Sequence, residues 1–145
     1  MTPLDLLESI LPKRSSGKRR PSGVAVAEAV ARGLPKEAME RVKTSLALTD
    51  GEVASLLGIS PKSVSRMRKD ARRPLNLVSS DRLYRLARIF AQARDVLEDD
   101  ELAREWLRTP QVGLGARIPL SLLATEAGAR EVEDLLGRIE YGVVS

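Results

Sequence analysis

The stretch Thr49-Asp-Gly-Glu-Val-Ala-Ser-Leu-Leu-Gly-Ile-Ser-Pro-Lys-Ser-Val-Ser-Arg-Met-Arg-Lys69 decides how the rest of the chain is read. Thr49 followed three residues later by Glu52 is a capping box, so a helix starts here. Val53, Leu56 and Leu57 fall on one face of that helix. Gly58 follows the last apolar pair, where a helix end needs a positive φ. Ala54, four residues before Gly58, is small enough to let a second helix cross closely, and Ile59 plugs the corner. Ser60-Pro61 then starts a second helix, with a capping side chain ahead of a proline at the first helical position. Val64 and Met67 share its inner face; Lys62, Ser63, Ser65, Arg66 and Lys69 share its outer face. Two short helices, a tight turn and a basic outer face make a helix-turn-helix; a plain helical hairpin is the bland alternative.

Working outward, the flanks are helical too. The chain is rich in Ala, Leu, Arg and Glu, and few stretches alternate with period two, which predicts an all-α fold. Helices are expected over 24–33 and 35–46 before the motif. After it comes a basic linker, Lys69 to Asn76, carrying Arg72 and Arg73. A cap at Ser79 or Ser80 opens a helix from about Asp81 to Leu97, with Leu83, Leu86, Ala87 and Phe90 in phase. A helix over about 101–107 carries Leu102, Ala103, Trp106 and Leu107 and stops at Thr109-Pro110. The segment 112–119 is turn-rich, and a short helix runs from Pro119 to Leu123. Thr125 caps the last helix, whose stripe is Val132, Leu135, Leu136 and Ile139; it ends at Tyr141-Gly142. The expected domains are a basic tail (1–23), a helix-turn-helix domain (24–78) and a second helical domain (79–145). Within the tail, Leu4 to Leu11 is a short apolar patch, and the rest is either a flexible tail or a basic arm that tracks DNA.

Composition removes several functions. With no cysteine and no histidine, the chain builds no disulfide, no His/Cys zinc site, no Ser-His-Asp triad and no Cys-His pair. No apolar run approaches the ~20 residues that span a bilayer, and no signal peptide is visible, so a cytoplasmic location without membrane attachment is expected. Charge is divided along the chain. Residues 24–79 carry ten basic and six acidic groups, and residues 80–145 carry nine and twelve. The basic half suits phosphates, and the acidic half suits a protein partner. Gly113-Leu-Gly115 lacks the third glycine and the preceding strand of a dinucleotide loop. Glu98 to Glu101 lacks the spacing of a calcium loop and reads as a helix cap. No catalytic residue, metal or cofactor is expected.

The second half also carries an ordered series of blocks. These are Arg85-Leu-Ala-Arg88, Ala103-Arg-Glu-Trp-Leu-Arg-Thr-Pro110, Leu114-Gly-Ala-Arg-Ile-Pro-Leu120, and Thr125-Glu-Ala-Gly-Ala-Arg-Glu-Val-Glu-Asp-Leu-Leu-Gly-Arg-Ile-Glu-Tyr-Gly142. This series resembles the toxin-binding domain of the Xre/MbcA/ParS antitoxins, which also place an Xre-like helix-turn-helix first, so the resemblance covers about residues 24–145. It implies a type II antitoxin whose partner is a RES-domain toxin that attacks NAD or transfers ADP-ribose from it. It also implies a homodimer that joins the toxin in a hetero-oligomer, covers its active site with the C-terminal region, and represses its own operon through operator DNA. By the family pattern, Trp106, Thr109, Pro110, Arg117 and Pro119 are the scaffold of the toxin-binding lobe. Trp106, Arg117, Glu131, Leu135, Arg138, Glu140 and Tyr141 are the expected toxin-binding residues, with Arg138 a candidate to enter the NAD pocket. The stripe Leu135, Leu136, Ile139 suits internal core or a dimer seam equally well. On the DNA side, Lys62 and Arg66 are expected at base edges, Arg68, Lys69, Arg72 and Arg73 at phosphates, with Ser60, Ser63 and Ser65 beside them. The alternative is a free-standing helix-turn-helix regulator whose acidic half dimerises. An enzyme or a protein-only adaptor are further rivals.

Overall fold

The computed structural model describes residues 23–70 and 72–142. The expectations for the tail, including the Leu4 to Leu11 patch and the basic arm, lie outside these residues. Among the described residues the regular structure is helical: α1 (Gly23–Arg32), α2 (Lys36–Ser45), α3 (Asp50–Leu57), α4 (Pro61–Lys69), α5 (Leu77–Leu97), α6 (Asp100–Arg108), a 3-10 turn (Val112–Leu114), α7 (Pro119–Leu122) and α8 (Glu126–Glu140). One isolated antiparallel bridge joins Gln111 and Arg117. Contacts divide the chain into two units, with the division inside α5 between Tyr84 and Arg85.

In the first unit, local chemistry sets each boundary of the motif. Thr49 Oγ1 accepts from the Glu52 amide at 3.1 Å while Glu52 Oε1 accepts from the Thr49 amide at 3.0 Å, which completes the capping box. Gly58 closes α3 at φ 69°, ψ 33°. The positive φ is what calls for glycine; a Cβ there would also meet the mobile end of the Arg82 side chain, which would have to shift. The Ser60 side chain accepts from the Ser63 amide at 3.1 Å, and Pro61 occupies the first turn of α4. Val53, Ala54, Leu56 and Leu57 of α3, Val64 of α4, and Ala38, Met39 and Val42 of α2 are all buried, and α3 and α4 are in contact.

The linker after α4 is tucked in rather than free. Leu75 is buried and its amide donates to the Leu34 carbonyl at 2.9 Å. Burying such a side chain is worth about 1.5–3 kcal/mol, enough to pin the segment. The next helix starts at Leu77, ahead of the expected Asp81. Its cap is the side chain of Asn76, whose Oδ1 accepts from the Ser79 amide at 2.8 Å. Ser79 and Ser80, expected as caps, are buried instead. Ser80 Oγ accepts from the Leu34 amide at 2.8 Å and donates to the Leu75 carbonyl at 3.4 Å, stitching α1's exit to the linker. The first turn is hard to read in the sequence because Leu77 and Val78 are apolar yet exposed, which breaks the periodicity.

In the second unit, buried residues include Phe90 and Ala93 of α5, Ala103 and Leu107 of α6, Leu114 and Leu123, and Ala129, Val132, Leu135 and Leu136 of α8. Leu102, also on α6, is exposed. Asp99 caps α6 by accepting from the Leu102 amide at 2.8 Å. Glu98, at φ 59°, ends α5, so the acidic cluster is a cap and turn. Thr125 caps α8 through the Gly128 amide at 3.0 Å. Gly128 itself allows a close approach: a Cβ there would lie 1.9 Å from the Leu122 carbonyl oxygen. Two ion pairs tie α5 to α8: Arg85 reaches the Leu123 carbonyl (3.4 Å) and Glu126 (3.4 Å), and Arg88 pairs with Glu133.

Candidate functional site

In the first unit the candidate surface is the outer face of α4. Val64 is the buried residue of this helix and Met67 is half-buried, so the inner face is short. Lys62, Ser65, Arg66 and Lys69 are exposed and, with Pro61, line one shallow concave face. Arg72 and Arg73 are exposed just beyond the helix. The Arg72 amide donates to Asp70 Oδ1 at 3.3 Å, a turn that sets where the Arg72 side chain departs. Ser60 is exposed, but its oxygen is engaged as the cap, and Ser63 is half-buried with its Oγ 3.0 Å from Ser60 Oγ. These two serines shape the start of the helix.

Arg68 departs from expectation. Its guanidinium forks onto Asp50, with Nη1 to Oδ2 at 2.8 Å and Nη2 to Oδ1 at 2.6 Å, and its Nε donates to Glu40 Oε1 at 2.6 Å. Lys43 Nζ meets the same Asp50 oxygen at 2.6 Å, and Lys36 Nζ donates to the Arg68 carbonyl at 3.0 Å. Arg68 is therefore engaged by carboxylates within its own unit, with about a third of its side chain exposed. The physical reason is the register: α4's last turn returns over the N-terminus of α3, where Asp50 sits in the positive end of the helix dipole. The hydrogen bond from Arg68, seconded by Lys43, holds the Asp50 carboxyl far below its ordinary value of 3.8, and the two carboxylates push Arg68 further up. Asp50 and Glu40 are silent in the sequence because acidic residues at these positions also read as ordinary helix caps and solvated faces.

In the second unit the expected toxin-binding residues fall into two groups. Trp106 is half-buried and Arg117 exposed; one residue joins them, Gln111, which donates from its amide to the Arg117 carbonyl at 3.0 Å and from Nε2 to the Trp106 carbonyl at 3.1 Å. Gln111 carries no signal in the sequence beyond a polar residue after Thr109-Pro110. The other group is on α8 and its exit. Glu131 and Glu140 are exposed, and Tyr141, its C-cap, is 82% exposed. Arg138 is half-buried, and its Nε is buried with no hydrogen-bond partner among the described residues. Leu135 corrects the expectation: it is 4% exposed and belongs to the core with Leu136, because α8 turns its stripe inward against its own unit. Ile139, one turn on, is 38% exposed. No helix among the described residues is long and apolar enough to cross a membrane.

Comparison with known proteins reads both halves. Residues 25–88 match the antitoxin Xre-like helix-turn-helix domain, and residues 92–142 match the antitoxin Xre/MbcA/ParS C-terminal toxin-binding domain. An antitoxin Xre of Photorhabdus laumondii is 32% identical over 145 residues, covering 99% of this chain and 97% of that protein. An antitoxin Xre of Yersinia enterocolitica is 33% identical over 133 residues, covering 91% and 89%. A chain in the crystal structure of the M. tuberculosis MbcT-MbcA toxin-antitoxin complex is similar at 27% identity with a TM-score of 0.54, over 74% of this chain and 94% of that one. Matched at both ends and nearly end to end, the chain belongs to the Xre/MbcA/ParS antitoxin family, as an antitoxin of a toxin–antitoxin system in which a helix-turn-helix domain precedes the toxin-binding domain.

Proposed function

We propose that this antitoxin neutralises a RES-domain, NAD-targeting toxin by covering its active site with the C-terminal region, and that it represses its own operon by binding operator DNA. The observation that carries the first half is the match of residues 92–142 to a toxin-binding domain, together with a relative in complex with its toxin. Inhibition is steric and asks no chemistry of this chain. Within 79–145, Trp106 and Arg117, braced by Gln111, and Glu131, Arg138, Glu140 and Tyr141 on α8 and its exit are the proposed contacts. For DNA, the support is the exposed row Lys62, Ser65, Arg66 and Lys69 on a helix of the motif within 24–78. A homodimer of this antitoxin presents two such helices about one DNA turn apart, ~34 Å, on a palindrome.

The test is coexpression with the product of the adjacent gene in a host whose growth and NAD level are scored together. The expected result is that the full chain restores both and that a chain lacking residues 125–145 restores neither. Rescue of growth by that truncated chain sinks the C-terminal mechanism, and an unaltered NAD level in unprotected cells sinks the NAD-targeting assignment.

A further inference from the structure

Arg68 lies on the helix proposed to read DNA, yet its side chain points away from that task. Three helices meet at its guanidinium: it belongs to the last turn of α4, forks onto the first residue of α3, and binds α2 through Glu40. A planar fork against one carboxylate fixes direction as well as distance. Lys43 secures the far side of the same carboxylate, and Lys36 holds the Arg68 carbonyl, so the clamp grips both the side chain and the main chain of α4. Elsewhere α4 is anchored thinly, since Val64 is the buried residue along its length. With Val64 buried and Met67 half-buried, packing alone restrains the roll of this helix less than a full apolar stripe would. A clamp at its C-terminal end adds to that restraint, and base readout needs the geometry held to a fraction of an ångström.

We propose that Arg68, with Asp50 and Glu40, is a positioning residue that sets the roll of the DNA-reading helix, and that it makes no phosphate contact of its own. This rests on the proposed binding of operator DNA by α4. The two roles predict opposite signs for one substitution. Asp50→Asn removes a negative charge and releases the guanidinium, so a phosphate-seeking Arg68 binds DNA more tightly in that variant. A clamp that has lost its carboxylate binds more weakly.

The experiment first selects an operator-sized duplex from a random-sequence pool with the full-length wild-type protein. It then measures affinity for that duplex, and for a scrambled duplex of equal length, across a salt series for wild type, Asp50→Asn, Asp50→Glu and Arg68→Lys. Circular dichroism melts accompany each variant, and binding is read well below the lowest melt. Asp50→Asn and Arg68→Lys are expected to lose about threefold to fivefold on the selected duplex, the scale of one partly exposed ion pair. Their salt slope stays at the wild-type value, and Asp50→Glu recovers most of the loss. Arg68→Lys keeps the charge and loses the fork, so it serves as the second arm if Asp50→Asn proves too unstable to assay. Tighter or unchanged binding by Asp50→Asn overturns the positioning role, as does full wild-type affinity in Arg68→Lys, which keeps a phosphate-seeking charge but loses the fork. A wild-type protein that selects no sequence overturns the DNA-binding reading itself, a result distinct from any variant difference.

Discussion

The helices α4 and α8 are both amphipathic, both begin at a hydroxyl cap, and both carry charge outward, yet they use their faces in opposite ways. α4 buries Val64 and leaves a basic row exposed. α8 buries Ala129, Val132, Leu135 and Leu136, and its polar residues flank a stripe that is already filled. A helix that exposes its working face needs something else to hold it, and for α4 that is the Arg68 clamp. A helix that buries its stripe is held by packing, so its contacts with another protein have to come from its edges and its end, where Ile139 and Tyr141 emerge.

The sharpest way to break this comparison is to set a residue of α8's stripe against its C-cap. Leu136→Ala is expected to cost about 2–5 kcal/mol in chemical denaturation, because it leaves a cavity in a close-packed core. Tyr141→Ala, at an 82% exposed position, is expected to stay within about 0.5 kcal/mol of wild type while weakening toxin binding in a pull-down titration. Equal stability losses at both sites contradict the division between core stripe and exposed end.

Next in size is Gly128→Ala. The new Cβ meets the Leu122 carbonyl oxygen at 1.9 Å, so α7 and α8 have to part. Overpacking of this kind costs about 1–3 kcal/mol, read as a lowered melting temperature. A melt unchanged by the extra methyl means that the two helices have slack enough to absorb it.

On the α4 side, Arg66→Ala is expected to cost about 1–3 kcal/mol on the selected operator and to relax sequence choice there, whereas Arg72→Ala lowers affinity evenly and reduces the salt slope by about one. Identical footprints and slopes for the two variants remove the distinction between base edge and phosphate.

The smallest effect is in acid. Asp50 has its pKa depressed below 3.8 by Arg68 and Lys43, so its contribution is fully present above the ordinary carboxylate pKa and is lost only as pH falls through the lower folded value. An acid titration of wild type against Asp50→Asn is expected to show the two stabilities converging below about pH 3, as the unfolded carboxylate protonates first. A constant gap down to the lowest pH shows that the carboxylate is not the titrating group.

Much of the fold was legible because its signals are local. Thr49 and Glu52, Gly58, Ser60-Pro61, Thr125 and the Val132, Leu135, Leu136 series each state a boundary or a face within a few residues. Where the sequence misleads, the missing information is long-range. Ser79 and Ser80 look like caps until Leu34 and Leu75 claim Ser80. Arg68 looks like its neighbours Arg66 and Lys69 until Asp50 and Glu40 arrive from other helices. Leu135 is equally good as contact or core until the direction of α8's stripe is known.

By itself, then, the sequence determined that the chain is helical, that a helix-turn-helix occupies 49–69, that no histidine or cysteine chemistry is available, and that an antitoxin-like series of blocks fills the second half. Backbone propensity, capping and composition account for these, and they act over a turn or two of chain. Only the tertiary structure decided which charges are free to meet a partner and which are consumed internally. That outcome depends on groups 18 and 28 residues apart meeting within hydrogen-bond distance, as Asp50 and Glu40 do at Arg68.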